Sequence, residues 1–373
     1  MDNIEFFRNE DFSPASDNSK KSEVSRSQAQ RKDTSAGLAR PVEFLQNSID
    51  EFDLDHEMLP PVPDHQATLN LLMKNADILI AAGDYRLATN LLRNVLMRSP
   101  QNPEALKRLG ITLKSEGRLD EALKCFRGFL KNAPDITTQI VASNMIAETL
   151  YLAERDEMAL GVYRDILRHV IDNKQMLFDI YKNVGNIHVR AGDFDAAEEF
   201  YNKAYTLDPK SDVLLVNYGT LEIQRENLEA AVERFRKAVE LNAANDRGWV
   251  GLAMIHRMMS DFDLAHANLE RALDVNPNNR TALRLSVDWG AQDHRFDNPI
   301  RRLQAYIADQ GSEDAEFCFA LAKLFTQVGC LREARIEMER VLALDVGMEG
   351  ADGLAKALDA ELARRGVSET KGA

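Results

Sequence analysis

Only three cysteines occur in 373 residues, Cys125, Cys318 and Cys330. They are too few and too scattered for a disulfide framework or a four-ligand zinc site. Basic charge is also short: 46 Lys and Arg stand against 60 Asp and Glu, a formal net charge of −14. A binder of the phosphate backbone needs a concentrated positive face, so no nucleic acid partner is expected. No run approaches the roughly 18 to 20 apolar residues that a membrane-spanning helix needs, so no membrane insertion is expected. The start, Met1-Asp2-Asn3-Ile4-Glu5, is acidic and leads into no apolar core, which gives no sign of a secretory signal. A reducing, cytoplasmic setting is the expectation. Catalytic patterns are missing as well. There is no phosphate loop ending in Gly-Lys-Ser/Thr, no G-x-S-x-G elbow and no H-E-x-x-H pair, and the seven histidines are scattered. The chain is expected to be no enzyme and to carry no cofactor or metal.

What is present divides near residue 64. From Ser13 to Arg40 the chain is rich in Ser, Asp, Asn, Lys, Arg and Gln and poor in large apolar residues. Such a stretch cannot bury enough surface to offset its ordering entropy, so residues 1–64 are expected to form a disordered arm. Two patches interrupt it. Ile4, Phe6, Phe7 and Phe12 sit among acids near the start. Later, Phe44, Leu45, Ile49, Phe52 and Leu54 alternate with acidic residues. From Pro41 to Gln66 there are seven acidic residues and no Lys or Arg. Pro60-Pro61-Val62-Pro63 then ends any local helix. Phe44, Ile49 and Phe52 fit one face of a short helix. Two readings of Phe44, Leu45, Ile49 and Phe52 stay open: a linear motif that folds on a partner or on this chain's own groove, and an extra cap or plain linker before the next region.

After Gln66 the chain repeats. Gly83-Asp84-Tyr85, Gly117-Arg118-Leu119, Gly192-Asp193-Phe194 and Ser260-Asp261-Phe262 are each followed by an alanine, at Ala88, Ala122, Ala197 and Ala265. Aligned on that alanine, repeats start at Leu69, Pro103, Ile140, Phe178, Asp212, Asp246, Arg280 and Ala315, with spacings of 34, 37, 38, 34, 34, 34 and 35. At this period each unit is a pair of antiparallel helices joined by a short turn. Counted from the repeat start, positions 4, 8, 11, 20, 24, 27 and 32 read Leu106, Gly110, Leu113, Ala122, Phe126, Phe129 and Pro134 in repeat two. Repeat four reads Tyr181, Gly185, His188, Ala197, Tyr201, Ala204 and Pro209, and repeat six Trp249, Ala253, His256, Ala265, Leu269, Ala272 and Pro277. Small residues at 8 and 20 let two helices approach, the residue at 24 fills the gap to the next repeat, and proline at 32 stops the second helix.

In this register the chain resembles the tetratricopeptide repeat family. The resemblance implies an all-α fold: a right-handed superhelical solenoid of about eight helix-turn-helix units over residues 65–348. Gly350–Arg365 places Leu354, Leu358 and Leu362 on one face and is expected to be a closing helix (349–365), with 366–373 a tail. Two repeats depart. Repeat three has Ser143, Glu154 and Ile171 at unusual places. Repeat seven has Gly290 and Pro299, and there Asp297-Asn298-Pro299 reads as a helix start with Asn298 as cap. His188 and His256 fall at a packing position. Cys125 and Cys318 are expected to be buried, and Cys330 to lie in an exposed turn.

The family resemblance also implies where partners bind. The first helix of each repeat lines the concave side, at positions 2, 5, 9 and 12, with 6 nearby. Those positions place Lys107 and Lys114 in repeat two, Lys182 and Asn186 in repeat four, Asn217 in repeat five, and Arg247 and Arg257 in repeat six. The expected function is a scaffold or adaptor that holds a protein or an extended peptide with acidic groups. Lys182, Asn186, Asn217 and Arg247 match four places of the carboxylate clamp with which some family members hold chaperone C-termini; Gly251 stands at the fifth. The alternatives are such a partial-clamp co-chaperone, a regulator that senses a peptide, and self-regulation by Glu43–Glu57 in the chain's own groove.

Overall fold

The computed structural model describes residues 65–366, apart from 170, 311–313 and 346. Phe44, Leu45, Ile49 and Phe52 lie outside the described residues. Among the described residues every regular element is a helix. The chain divides after Pro209 into two compact units.

The first unit holds α1 (His65–Ala81), α2 (Tyr85–Arg98), α3 (Pro103–Ser115), α4 (Leu119–Lys131), α5 (Ile136–Leu152), α6 (Asp156–Ile166), α7 (Lys174–Arg190) and α8 (Phe194–Leu207). Each odd-numbered helix packs on the even one after it, and each hairpin packs on the next. Capping residues fix where these helices begin. Asn102, Asp135 and Asn173 each accept a hydrogen bond from a backbone N–H of the first turn, at Ala105, Thr138 and Met176. The longer spacings around repeat three are taken up by the helices. With 17 residues each, α5 and α7 start four residues ahead of Ile140 and Phe178, and α1 likewise starts ahead of Leu69.

The second unit holds α9 (Asp212–Gln224), α10 (Leu228–Leu241), α11 (Asp246–Met258), α12 (Phe262–Val275), α13 (Arg280–Gln292), α14 (Asp297–Gln310), α15 (Ala315–Gln327), α16 (Leu331–Leu344) and α17 (Ala351–Arg364). Ser211, Asn245, Asn279 and Asp314 cap its first helices. A polar ladder joins successive hairpins. The Asp212 carboxylate accepts from the side-chain amides of Asn242 (2.6 Å) and Asn245 (2.9 Å). One repeat on, Asp246 accepts from Asn276 (2.6 Å) and Asn279 (2.9 Å). At the next step the signs reverse: Arg280 pairs with the Asp314 carboxylate and, at 2.8 Å, with Glu316. The last helix, α17, buries Ala351, Ala355 and Leu358 and packs on α16.

In three hairpins the core sets a ring against a glycine. A Cβ added at Gly110 would lie 2.5 Å from the Phe126 ring, and one at Gly185 2.4 Å from Tyr201. The glycine therefore seats the ring of its own hairpin. Phe235 lies against Gly219 in the same way and also reaches Gly251 of the following hairpin.

Among the described residues all eight hairpin turns use the left-handed backbone at the fifteenth repeat position. Gly83, Gly117, Gly192 and Gly329 hold φ between 76° and 80°. Glu154, Glu226, Ser260 and His294 hold φ between 56° and 62° at the corresponding places. A side chain there is strained by roughly 1–2 kcal/mol, so the turn is imposed by the packing of its two helices.

Repeat seven differs from the expectation for its second helix. The helix begins at Asp297, and the Ile300 amide bonds to the Phe296 carbonyl at 3.1 Å. Phe296 therefore occupies the cap place, and Asn298 lies inside the first turn. Pro299 is tolerated as third residue because the first four N–H groups of a helix have no intrahelical acceptor. Gly290 answers to the same proline: a Cβ there would meet Pro299 Cγ at 2.6 Å and the Arg295 carbonyl oxygen at 2.8 Å.

Candidate functional site

The inner positions of α3 and α5 in the first unit carry a mixed strip. Lys107 and Lys114 stand two turns apart on α3, with half-buried Ile111 between them. Lys107 Nζ lies 6.0 Å from the Phe129 ring centre. Lys114 donates to Glu148 at 3.0 Å, and Asn144 donates to the other oxygen of that carboxylate at 2.8 Å. The Asn144 Oδ1 atom is buried and accepts from nothing. A buried acceptor without a donor costs free energy.

Further along the same unit the polar groups turn inward. Lys182 is 2% exposed, donates to Asp179 at 3.0 Å and lies 5.6 Å from the Phe178 ring centre. Asn186 is fully buried between two phenols, donating to Tyr151 at 3.0 Å and accepting from Tyr201 at 2.8 Å. Asn183 donates to the Tyr163 hydroxyl at 3.2 Å. Burial pushes the Tyr163 phenol far above its usual range. Asn183 and Asn186 join hairpins together, while Lys182 is held by its own helix. His188, expected at a packing position, is half-buried and stacked on Phe200 at 5.6 Å.

In the second unit Asn217 is fully buried. Around it on the inner positions Val216, Thr220, Ile223, Val250 and Met254 are all at most 3% exposed. Arg247 is half-buried. Arg257 is committed elsewhere: it pairs with Asp293, donates to Gln292 at 2.7 Å and stacks on Phe262 at 4.5 Å and Trp289 at 5.3 Å. His266 meets the same carboxylate at 2.8 Å. Burial alone would raise the Asp293 pKa. The hydrogen bonds from Arg257 and His266 outweigh it and hold the carboxyl below the usual carboxylate range.

The four clamp candidates therefore do not share one environment. Lys182 and Asn186 are buried and satisfied within the first unit, where a peptide carboxylate has no access to them. Asn217 is equally buried, in the second unit. Lys107 and Lys114 remain the basic groups on the open part of the strip. Residues of the last two hairpins escaped the sequence reading, although the repeat register points to them. Arg284, Phe319 and Lys323 occupy inner positions there. Lys323 is exposed with Nζ 4.0 Å from the Phe319 ring centre, and Arg284 donates to Glu316 at 2.7 Å.

All three cysteines are free thiols. Cys318 is buried, and burial pushes its thiol up to about 11; Cys125 and Cys330 are half-buried, and burial also raises Cys125. Cys330 occupies the cap place of α16. Among the described residues no helix is long and apolar enough to cross a membrane.

The tetratricopeptide repeat family matches residues 79–140 and 188–255, and a second pattern of the same family matches residues 159–212. The hairpins of these stretches match tetratricopeptide repeats. Solved structures resemble the chain at low identity. PilW, described as a widely conserved type IV pilus biogenesis factor, is 16% identical, with 58% of this chain and 98% of that chain covered and a TM-score of 0.50. A tetratricopeptide repeat protein from Parabacteroides merdae ATCC 43184 is 17% identical, covering 69% of this chain and 99% of that chain, with a TM-score of 0.44. Among curated proteins none matches the chain in sequence. A tetratricopeptide array is, in general terms, a protein-interaction scaffold, because its extended surface is large for its mass.

Proposed function

We propose that the chain is a non-enzymatic cytoplasmic adaptor. It holds an extended peptide of a partner protein, bearing carboxylates and apolar side chains, along the inner positions of α3 and α5. The observation that carries this reading is the strip Lys107, Ile111, Lys114 and Asn144. Lys107 has no carboxylate partner among the described residues and lies over the Phe129 ring. A peptide carboxylate complements Lys107, and an apolar side chain lies on Ile111. Three free thiols support a reducing compartment.

Panning a displayed random peptide library against the full chain tests the reading. Extended acidic sequences are the expected enrichment. Replacing Lys107→Glu together with Lys114→Glu should then weaken the selected peptides by about tenfold or more. Enrichment of basic peptides, or affinities unmoved by the double substitution, would overturn it.

A further inference from the structure

Among the described residues the first hairpin has no hairpin before it, whereas every comparable one has. Repeat positions 3, 7 and 10 of a first helix face the hairpin before it. In α3 these are Ala105, Leu109 and Thr112, at 0%, 4% and 0% exposure, and Ala105 packs with Val95 of the preceding helix. The same positions are buried in α5, α7, α11, α13 and α15. In α1, positions 3 and 10 are Leu71 and Ile78, each 59% exposed. Position 6 is the seat of the preceding hairpin's ring: Asn183 bonds to Tyr163, and Phe235 lies on Gly251. In α1 that seat is Lys74, which is exposed and has no ion pair among the described residues.

The segment just before α1 has the chemistry to fill this face. Leu45, Ile49 and Phe52 recur at the four- and three-residue steps of one helical stripe. Between Glu43 and Leu59 there are six acids and no Lys or Arg, which complements Lys74. Phe52 precedes Pro60 by eight residues, the interval between Phe126 and Pro134, Tyr201 and Pro209, and Leu269 and Pro277. Asp55 departs from the second-helix pattern, which has a small or apolar residue there. Pro63-Asp64 stands before α1 as Pro134-Asp135 stands before α5, where Asp135 is the cap. Pro60–Asp64 counts five residues, against the four that join α4 to α5.

We propose that residues 43–59 dock on α1 as the missing second helix of a preceding half-repeat. Phe52 sits toward Leu71 and Lys74, and Ile49 toward Ile78. This assigns the acidic segment to the end of the array rather than to its groove, and it does not depend on what the groove binds. Terminal repeats need such covers because each hairpin has only its neighbours to bury against.

Disulfide trapping in the full chain tests the assignment. In a background with Cys125→Ala, Cys318→Ala and Cys330→Ser, the pairs Phe52→Cys with Lys74→Cys and Ile49→Cys with Ile78→Cys are oxidised at low protein concentration. Links within one chain should form about tenfold faster than in the control pair Ala29→Cys with Lys74→Cys, because docking raises the effective concentration. Rates equal to the control would overturn the proposal, and so would links between two chains, which would make a second copy the occupant. A second readout does not depend on that background. With Ile49→Asp plus Phe52→Asp, amide exchange in α1 should accelerate about tenfold while α9–α17 stays unchanged. Unchanged exchange in α1 would equally overturn it.

Discussion

The second and seventh hairpins solve one packing problem with glycines a helical turn apart. In α3–α4, Gly110 makes room for the Phe126 ring, and Ala122 keeps the second helix close. In α13–α14 proline stands where Ala122 would be, and the glycine has moved to Gly290, under Pro299 and the Arg295 carbonyl. The lesson is that close approach is required of each hairpin, but no fixed residue is required to supply it. A repeat that looks degenerate by its pattern is here a compensated one.

Alanine at the two glycines separates these solutions. Gly290→Ala should be the more damaging, at about 3 kcal/mol, since a rigid proline and a backbone oxygen must both give way. Loss of amide protection in α13–α14 and a lower urea midpoint would record it; a cost below that of Gly110→Ala would break the comparison. Gly110→Ala should destabilise by about 2 kcal/mol, because the displaced group is an aromatic side chain, though a fully buried one. The turns give the smallest effect, of opposite sign. His294→Gly relieves a left-handed φ of 57°. It should stabilise by about 0.5 kcal/mol, because relief of strain exceeds the added freedom of the unfolded chain. A fall in the urea midpoint would mean that the His294 ring, 6.0 Å from Phe296, contributes more than its backbone costs.

Much of this architecture is legible in the residues. The alternation of small and large positions places hairpins at the right period, and α3, α9, α11, α13 and α15 begin at the residues that the alanine register marks. Glycine marks four of the eight turns. The other four are invisible locally, because neighbouring helices force Glu154, Glu226, Ser260 and His294 into a conformation their own chemistry disfavours. The extra turn of α5 and α7 was visible only in Asp135 and Asn173, caps that lie ahead of the counted register. The groove was harder to read. Its register is legible, but Lys182 and Asn186 owe their burial to Asp179, Tyr151 and Tyr201. Spacing alone does not tell a lining residue from a residue that ties two hairpins together.

The ladder at the hairpin seams of the second unit also fixes order. By length, repeats six and seven are nearly interchangeable cassettes. By charge they are not. Exchanging the two hairpins together with their capping residues, Asn245 and Asn279, would set the Asp246 carboxylate beside that of Asp314, where like charges repel, and would leave Arg280 facing the neutral Asn245. Repeats arise by duplication and can be lost or shuffled by recombination of near-identical segments. A seam that accepts one neighbour and rejects another works as an address, so this half of the array resists permutation even where its cores would tolerate it.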